Sequence, residues 1–174
     1  LNKDPKNSFK LASELDQYNK ERQMLEKDLL QKILNQAKNY SKDPVLILSG
    51  SNWHEGVIGI VASRLKDKFN KPVIIISLEG EIGKASARSI VGFDIGSVII
   101  AATQENILLR GGGHKMAGGF SIKVQNIEKF KSFVFRKFRN INLDLSSDRP
   151  LLLDSIISPS AVNLDFYNKV ALLS

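Results

Sequence analysis

The apolar residues between Ser8 and Tyr40 recur at steps of three and four, the spacing of one face of an α-helix. They are Leu11, Leu15, Tyr18, Leu25, Leu29 and Ile33. This pattern predicts one long amphipathic helix. Arg22 interrupts the apolar stripe, and Asn19 lies one turn earlier on nearly the same face. Three roles are open for Arg22. It pairs with a carboxylate of the neighbouring domain, its charged end reaches water from the edge of the stripe, or it belongs to a functional site.

The next segment has the pattern of a βαβ unit. The short apolar run 45–48 is typical of a strand buried on both faces, and the run 72–77 is typical of a second one. Between them, residues 57–65 have a helical pattern, so the two strands are expected to be parallel with a right-handed crossover. Because the chain turns back near Gly80, the sequence predicts an α/β fold in which a mixed sheet with flanking helices follows the long connecting helix.

The third predicted strand runs through residues 84–89 and separates two kinds of side chain. Small residues occupy one face, and Lys84, Ser86 and Arg88 share the other. An arginine can bind a phosphate with two hydrogen bonds while a neighbouring hydroxyl donates a third. Because the residues of the first face are small, another group is expected to pack closely against that face. A ladder of surface salt bridges is the alternative role for the charged face.

A glycine-rich segment follows a helix that Asp94 is expected to cap and that ends near Gln104. Residues 111–119 contain five glycines and are predicted to form a loop with positive φ angles and inward-facing N–H groups, which binds anions. Gly111, Gly112 and Gly113 with His114 are the candidate phosphate ligands of this loop. A tight turn or a close approach of helix and strand would also require glycines. Residues 120–124 are predicted to form an edge strand, and residues 127–138 a closing helix.

The turn at residues 52–56 precedes a predicted helix N-terminus, where free N–H groups favour anions. His54 is therefore a candidate ligand for a phosphate, or it only caps the turn. Trp53 could stack on a base, although a lone tryptophan more often belongs to the core.

Composition narrows the class of protein. The 174 residues carry a formal net charge of +7, which favours polyanionic partners such as nucleic acid but is equally consistent with an ordinary basic surface. Cysteine is absent and the two histidines lie far apart, so no metal site is expected within this chain. The apolar runs are too short to cross a membrane and no signal pattern is present, so a cytoplasmic location is expected. The chain begins at Leu1 rather than at a methionine, which predicts an excised fragment.

Four blocks of sequence together resemble the RecJ family in order and spacing. They are 53–65 (WHEGVIGIVASRL), 83–89 (GKASARS), 92–94 (GFD) and 111–114 (GGGH). The resemblance covers residues 43–140, identified as the DHH-associated substrate-binding domain. Residues 15–23 resemble the connecting helix of the family, so residues 1–42 are assigned to that helix. Residues 141–174 resemble the start of a following OB-like module, which this chain truncates.

The resemblance implies a function for these blocks. RecJ proteins degrade single-stranded DNA from the 5′ end in DNA repair and recombination, and two divalent metal ions, Mn²⁺ or Mg²⁺, lie on a separate DHH domain that this chain lacks. The chain is therefore expected to hold the strand without cutting it. By position, Arg22 resembles a helix arginine that contacts the 5′ phosphate, and Asn19 on the same helix is a further candidate for substrate binding. The glycine segment and the Ser86–Arg88 strand are expected to grip the backbone. A helicase or a single-strand-binding protein are possible partners.

Two alternatives stay open at this point. Related DHH phosphodiesterases that act on oligoribonucleotides or cyclic dinucleotides share the glycine motif but usually lack the long helix. A non-enzymatic nucleic-acid module, similar to the C-terminal domain of alanyl-tRNA synthetases, also shares the glycine motif. The block at residues 53–65 fits the RecJ family better than either.

Overall fold

The computed structural model describes residues 5–40, 42–141, 153 and 155–172. The elements are α1 (Pro5–Ala37), β1 (Leu46–Ser51), α2 (Glu55–Phe69), β2 (Val73–Glu79), β3 (Ile82–Arg88), α3 (Ile95–Gln104), β4 (Arg110–His114), β5 (Ala117–Lys123), α4 (Ile127–Arg139) and α5 (Leu164–Ala171). The predicted long helix and the βαβ unit are thereby confirmed. Most of residues 141–153, the first part of the segment expected to start an OB-like module, lie outside the described residues.

The five strands form one mixed sheet in the order β1-β2-β3-β5-β4. β1 and β2 are parallel, and all other neighbours are antiparallel. The predicted fold class, a mixed sheet with flanking helices after a long helix, is confirmed. The prediction that residues 120–124 form an edge strand is wrong, because β4 pairs along the outer side of β5 and takes the edge position.

The two faces of the sheet carry separate cores, since side chains of a strand alternate between faces. On one face, Ile74 and Ile76 pack with residues of α3 and α4 such as Ile99 and Phe130. On the other face, residues of β1 and β2 pack with α2 and with the C-terminal part of α1. Full burial of one such side chain contributes about 1.5–3 kcal/mol, so both helical layers are held mainly by apolar contact.

α1 packs on the domain over only part of its length. Leu29 and Ile33 of the predicted stripe are buried, whereas Leu15 and Tyr18 are 68% and 64% exposed. The N-terminal half of this apolar stripe therefore has no cover among the described residues. The amphipathic pattern predicted the helix correctly, but only its C-terminal half belongs to this core.

Candidate functional site

β3 places its polar side chains on the same face of the sheet as α2. Ser86 pairs with Ile75 and Arg88 with Val73, and both of these β2 residues pack against α2. The predicted separation of β3 into a small face and a polar face is confirmed. The side chains of Ala85 and Ala87 belong to the core beneath α3 and α4, so their small size accommodates the protein's own packing.

Arg88 is held in place by three hydrogen bonds. Its Nε donates to Ser63 Oγ at 3.2 Å, and its Nη1 donates to Ser86 Oγ at 3.1 Å and to the Ala87 carbonyl at 2.8 Å. A Cβ added at Gly59 of α2 would lie 2.9 Å from Arg88 Nη2 and 3.0 Å from Ser86 Oγ, so the glycine lets the helix pass close to the guanidinium without displacing it. The site therefore presents a preorganised arginine whose position is fixed by the fold.

Lys84 forms an ion pair with Glu55, the first residue of α2, with 2.8 Å between Nζ and Oε1. The hydrogen bond to Glu55, followed by the attraction of its charge, raises the pKa of Lys84. Sequence reasoning missed Glu55. The alternative role that it considered for the charged face, a surface salt bridge, is correct for Lys84.

The predicted glycine loop is wrong. Residues 110–114 form the edge strand β4, and Gly112 pairs with Gly119 of β5 while Gly113 pairs with Gly118. Among the described residues, the glycines with positive φ are Gly80 and Gly92, so β4 and β5 have ordinary extended backbone. Pairing with β5 holds the glycines of β4 in an extended conformation. Residues 110–114 therefore do not form the anion-binding loop with positive φ angles that was predicted.

Some of these glycines are required by packing. An added Cβ would lie 2.6 Å from Ile99 at Gly111 and 2.5 Å from Ile99 at Gly118. At Gly113 it would lie 2.5 Å from the carbonyl oxygen of Ala117. The close approach of helix and strand, considered as the alternative role of the glycines, is therefore correct on the α3 face.

Gly112 and Gly119 are different, because they lie on the other face. An added Cβ at Gly112 would meet no atom within 4 Å, and one at Gly119 would meet only the Ala85 carbonyl oxygen, at 3.4 Å. Nothing in the packing requires glycine at these two positions. Their effect is to leave bare backbone on an open surface.

The strand register assembles the open face into three rows across β3, β5 and β4. The rows are Lys84, Ser121 and Arg110, then Ser86, Gly119 and Gly112, then Arg88, Ala117 and His114. Rows two residues apart are separated by about 6.8 Å. The middle row has little side-chain bulk and lies between two rows that carry cationic or titratable groups. We call this surface the trough.

The first row of the trough, together with Ser86 and Gly119 of the middle row, lines a concave pocket of about 480 Å³, whereas the third row lies outside it. Its lining consists of Glu55, Ile58, Lys84, Ala85, Ser86, Arg110, Gly111, Gly119, Phe120 and Ser121. Sequence reasoning missed Arg110, because it lies directly before residues 111–119, which were predicted to form a loop and not a strand. Strand alternation would have placed Arg110, Gly112 and His114 on one face, had the segment been treated as a strand.

His54 lies at the N-terminus of α2, where its Nδ1 accepts a hydrogen bond from the Gly56 N–H at 3.1 Å. The capping role considered for this residue is therefore present. Trp53 packs against the core below α2, and a Cβ at Gly50 would lie 2.5 Å from its ring. The core assignment of Trp53 is correct.

Asn19 and Arg22 lie on α1 and bond to each other. Arg22 Nη2 donates to Asn19 Oδ1 at 2.9 Å, and Arg22 Nη1 donates to Glu26 Oε2 at 3.1 Å. The carboxylate that pairs with Arg22 thus comes from its own helix and not from the neighbouring domain. Glu26 also contacts Arg64 of α2, which links the helix to the domain.

Neither a metal cluster nor a spanning helix is found in the described ranges. No group of three or more His, Cys, Asp or Glu residues there could hold a metal ion. None of the helices there is long and apolar enough to span a bilayer. The described residues therefore do not fit a divalent metal centre.

Comparison with known proteins identifies relatives. The DHHA1 domain model matches residues 42–140. The single-stranded-DNA-specific exonuclease RecJ of Bacillus subtilis is 33% identical over 135 residues, which covers 76% of this chain and 17% of that protein. The corresponding RecJ of Haemophilus influenzae is 36% identical over 129 residues, covering 70% of this chain and 22% of that protein.

A solved structure has a similar fold. The crystal structure of RecJ in complex with Mg²⁺ from Thermus thermophilus has a TM-score of 0.78 and 31% identity, covering 100% of this chain and 26% of that one. The resemblance to the RecJ family inferred from the four sequence blocks is confirmed. The chain nevertheless spans only about a fifth of the length of the curated relatives, 17% and 22%.

Proposed function

Because the chain belongs to the DHHA1 domain family, we propose that it is the strand-holding part of a RecJ-like 5′-to-3′ single-strand exonuclease. Hydrolysis, and the Mn²⁺ or Mg²⁺ ions that assist it, would belong to a DHH catalytic domain outside this chain. The proposal includes a connecting helix at 1–42, a substrate-binding domain at 43–140 and the start of an OB-like module at 141–174. The names of the relatives support the substrate class.

One observation carries the proposal: the trough has a bare middle row between two polar rows. Bare backbone at Gly112 and Gly119 lets a sugar–phosphate chain approach closely. Arg110 and Lys84 lie at one end and Arg88 at the other, each able to donate to phosphate oxygens. The bound strand would lie across β3, β5 and β4, with its phosphates near the two cationic rows.

Phosphate contacts position a strand but do not read its bases. The trough therefore suits an enzyme that degrades single strands regardless of sequence. His114 and Ser86 would add hydrogen bonds at the third and second rows. The side chain of His54 already caps α2, so its proposed role is to keep the N-terminus of α2 in place beside Lys84.

Arg22 and Asn19 are proposed to bind the 5′-terminal phosphate. Their mutual hydrogen bonds hold the guanidinium in one orientation on an accessible helix surface. The wider role proposed for the whole protein, in DNA repair and recombination in the cytoplasm with a helicase or a single-strand-binding protein as partner, follows from the family resemblance alone.

Fluorescence anisotropy with single-stranded DNA across a salt series tests the trough. The K84A/R110A double variant should weaken binding and flatten the salt dependence, its slope falling by about 0.7 for each phosphate that is no longer neutralised. A control pair on α4, K129A/R139A, lies on the opposite face of the sheet and should retain most of the affinity. Equal reductions of affinity in both pairs would leave only a generic basic surface and contradict the proposal.

Two further experiments distinguish this function from a phosphodiesterase acting on cyclic dinucleotides and from a non-enzymatic nucleic-acid module. Competition by cyclic dinucleotides or by tRNA should be weaker than competition by single-stranded DNA. The purified chain should bind DNA without cutting it when Mn²⁺ is present. Exonuclease activity from the purified chain would show that the catalytic machinery is not elsewhere.

A further inference from the structure

One stripe of α2 faces the polar side chains of β3 position by position. Its members lie four residues apart, on one face of the helix, and are Glu55, Gly59 and Ser63. Four residues of a helix advance by about 6 Å, and two residues of a strand advance by about 6.8 Å. The stripe on α2 therefore keeps pace with the polar side chains of β3.

The first two members of the stripe contact β3 in different ways. Glu55 forms the ion pair with Lys84, with 2.8 Å between the charged atoms. Gly59 presents backbone alone, and a Cβ added to it would lie 2.9 Å from Arg88 Nη2 and 3.0 Å from Ser86 Oγ. The helix thus supplies a counterion at one end of β3 and leaves room for side chains of the strand in the middle.

Ser63 supplies a neutral acceptor at the third position. Its Oγ accepts a hydrogen bond from Arg88 Nε at 3.2 Å, and the other two acceptors of Arg88 are the Ser86 hydroxyl and the Ala87 carbonyl. All three oxygens are uncharged, so these contacts hold the guanidinium without cancelling its charge. At the other end of β3, by contrast, the cation is paired with a carboxylate.

Ser63 differs from the other two acceptors because it lies on another element. Ser86 and Ala87 belong to the same strand as Arg88, so the bond to Ser63 is the one that ties the guanidinium to α2. An arginine side chain has many rotamers, and ordering them when a ligand binds lowers the affinity. The contact with α2 makes this ordering a part of the folded structure.

The charge of Arg88 favours an anionic ligand. Arg88 is half-buried between α2 and the sheet, and a cation that is partly withdrawn from water is stabilised by an anion beside it. A guanidinium held through Nε and Nη1 by neutral oxygens keeps its full charge for such an anion.

We propose that Ser63 is a positioning residue for phosphate binding by Arg88, and that Gly59 provides the space that this orientation requires. The inference rests on the proposed function, because it takes an internal phosphate of a bound DNA strand as the ligand of Arg88. Ser63 acts through Arg88 and does not itself contact the strand. Arg88 is accordingly a stronger anchor than Lys84, so R88A should weaken DNA binding more than K84A.

A double-mutant cycle of S63A and R88A in the whole 174-residue chain tests this role. Anisotropy with single-stranded DNA across a salt series gives the affinity of each variant. R88A should lower the affinity about ten-fold and reduce the salt slope by about 0.7, because one phosphate is no longer neutralised. S63A should lower the affinity about three-fold at an unchanged slope, since a mobile Arg88 still carries its charge.

The double variant gives the decisive comparison. If Ser63 acts only through Arg88, adding S63A to R88A should have no further effect on affinity. An equal loss from S63A in the wild type and in R88A would overturn the positioning role, because Ser63 would then act independently of Arg88.

Two matched variants show whether the hydroxyl itself is responsible. S63T restores a hydroxyl at the same position and should recover most of the affinity that S63A loses. S132A removes a hydroxyl from the exposed face of α4 and should bind as the wild type does. A loss in S63T equal to that in S63A would mean that packing of α2, and not hydrogen bonding to Arg88, matters at this position.

G59A separates positioning from stability. Alanine is favoured over glycine within a helix, and the atoms that its methyl group would meet are the ends of flexible side chains. The melting temperature should therefore stay level or rise. The methyl group would nevertheless displace the Arg88 guanidinium, so DNA affinity should fall about three-fold. Wild-type affinity in G59A would show that the orientation of Arg88 is unimportant and would contradict the inference.

Further outcomes separate this inference from the proposed function. If K84A/R110A weakens binding and S63A does not, the trough is supported and Ser63 is not a positioning residue. If R88A binds as the wild type does while K84A/R110A binds weakly, this inference fails and the proposed function stands. If neither R88A nor K84A/R110A weakens binding, the proposed function fails and the inference fails with it.

Discussion

The two faces of the β4–β5 ladder use the same amino acid for opposite purposes. On the α3 face, Gly111, Gly113 and Gly118 allow close contact, because a Cβ there would lie 2.5–2.6 Å from another atom. On the trough face, Gly112 meets nothing within 4 Å. Glycine is therefore a packing requirement on one face and leaves an open surface on the other.

This difference separates fold from function within one short segment. Changes on the α3 face should act on stability, because they force the backbone apart. Changes on the trough face should act on binding, because they fill an open space. A general need for flexible backbone would predict neither difference, and the ordinary extended conformation of β4 and β5 argues against it.

The largest expected effect is that of G113A. Its Cβ would lie 2.5 Å from the Ala117 carbonyl oxygen and from Gly118 Cα, and these backbone atoms cannot rotate away. We expect the free energy of unfolding to fall by about 3 kcal/mol, at the upper end of overpacking effects. Urea denaturation measures it. The matched control is G112A, which should change stability by less than about 0.5 kcal/mol. Equal destabilisation by the two variants would remove the distinction between the faces.

The second effect concerns binding and uses G112L. A leucine side chain would project into the middle row of the trough and block the close approach of a sugar–phosphate backbone. Affinity for single-stranded DNA should fall about ten-fold, or about 1.4 kcal/mol, while the melting temperature stays near that of the wild type. Anisotropy and thermal unfolding measure the two quantities. Undiminished binding would mean that the strand does not lie there.

A third effect is a pH dependence on the packed side. Asp94 accepts a hydrogen bond from the Ser97 N–H at 3.0 Å, which lowers the pKa of Asp94 below its ordinary value and caps the helix that packs against Gly113. Because the folded-state pKa is depressed, this stabilisation is present above the unfolded-state value. It is lost as pH falls through the folded-state value.

D94N should therefore be less stable than the wild type at neutral pH, because its cap is uncharged. The difference between the two proteins should shrink on acidification and vanish below the folded-state pKa. Urea denaturation at a series of pH values measures this difference. A gap that is independent of pH would show that the charge of Asp94 is unimportant for the helix.

The smallest expected effect is that of E55Q in the trough. Glu55 hydrogen-bonds to Lys84, which raises the pKa of Lys84 and occupies one cation of the first row. Removing the carboxylate charge should release Lys84 for phosphate and raise DNA affinity about two-fold, chiefly through the association rate at low salt. Stopped-flow binding measures that rate. Slower association in E55Q would contradict the placement of phosphates near Lys84.

Local patterns predicted the parts of this structure that depend on neighbouring residues. The alternation of Lys84, Ser86 and Arg88 on β3, the cap at Asp94 and the βαβ unit were all predicted correctly. Each follows from the strand period, from a capping side chain or from the length of an apolar run. The polar side chains that β3 contributes to the trough could therefore be predicted from the sequence.

The polar side chains that β4 contributes to the trough could not be predicted in the same way, because their position depends on the pairing of β4 with β5. Five glycines in nine residues are typical of a loop, yet β5 supplies partners that keep β4 extended. Arg110 was missed for the same reason. The contact between Glu26 of α1 and Arg64 of α2 was missed as well, because no spacing within α1 predicts a partner on another helix.

Whether DNA lies in the trough is tested most directly by backbone amide chemical shifts, measured while the chain is titrated with a 5′-phosphorylated single strand. We expect the largest changes in the trough strands β3, β4 and β5 and around Arg22. Changes concentrated on the basic helix α4, at Lys129, Arg136 and Arg139 on the opposite face of the sheet, would contradict this placement of the strand.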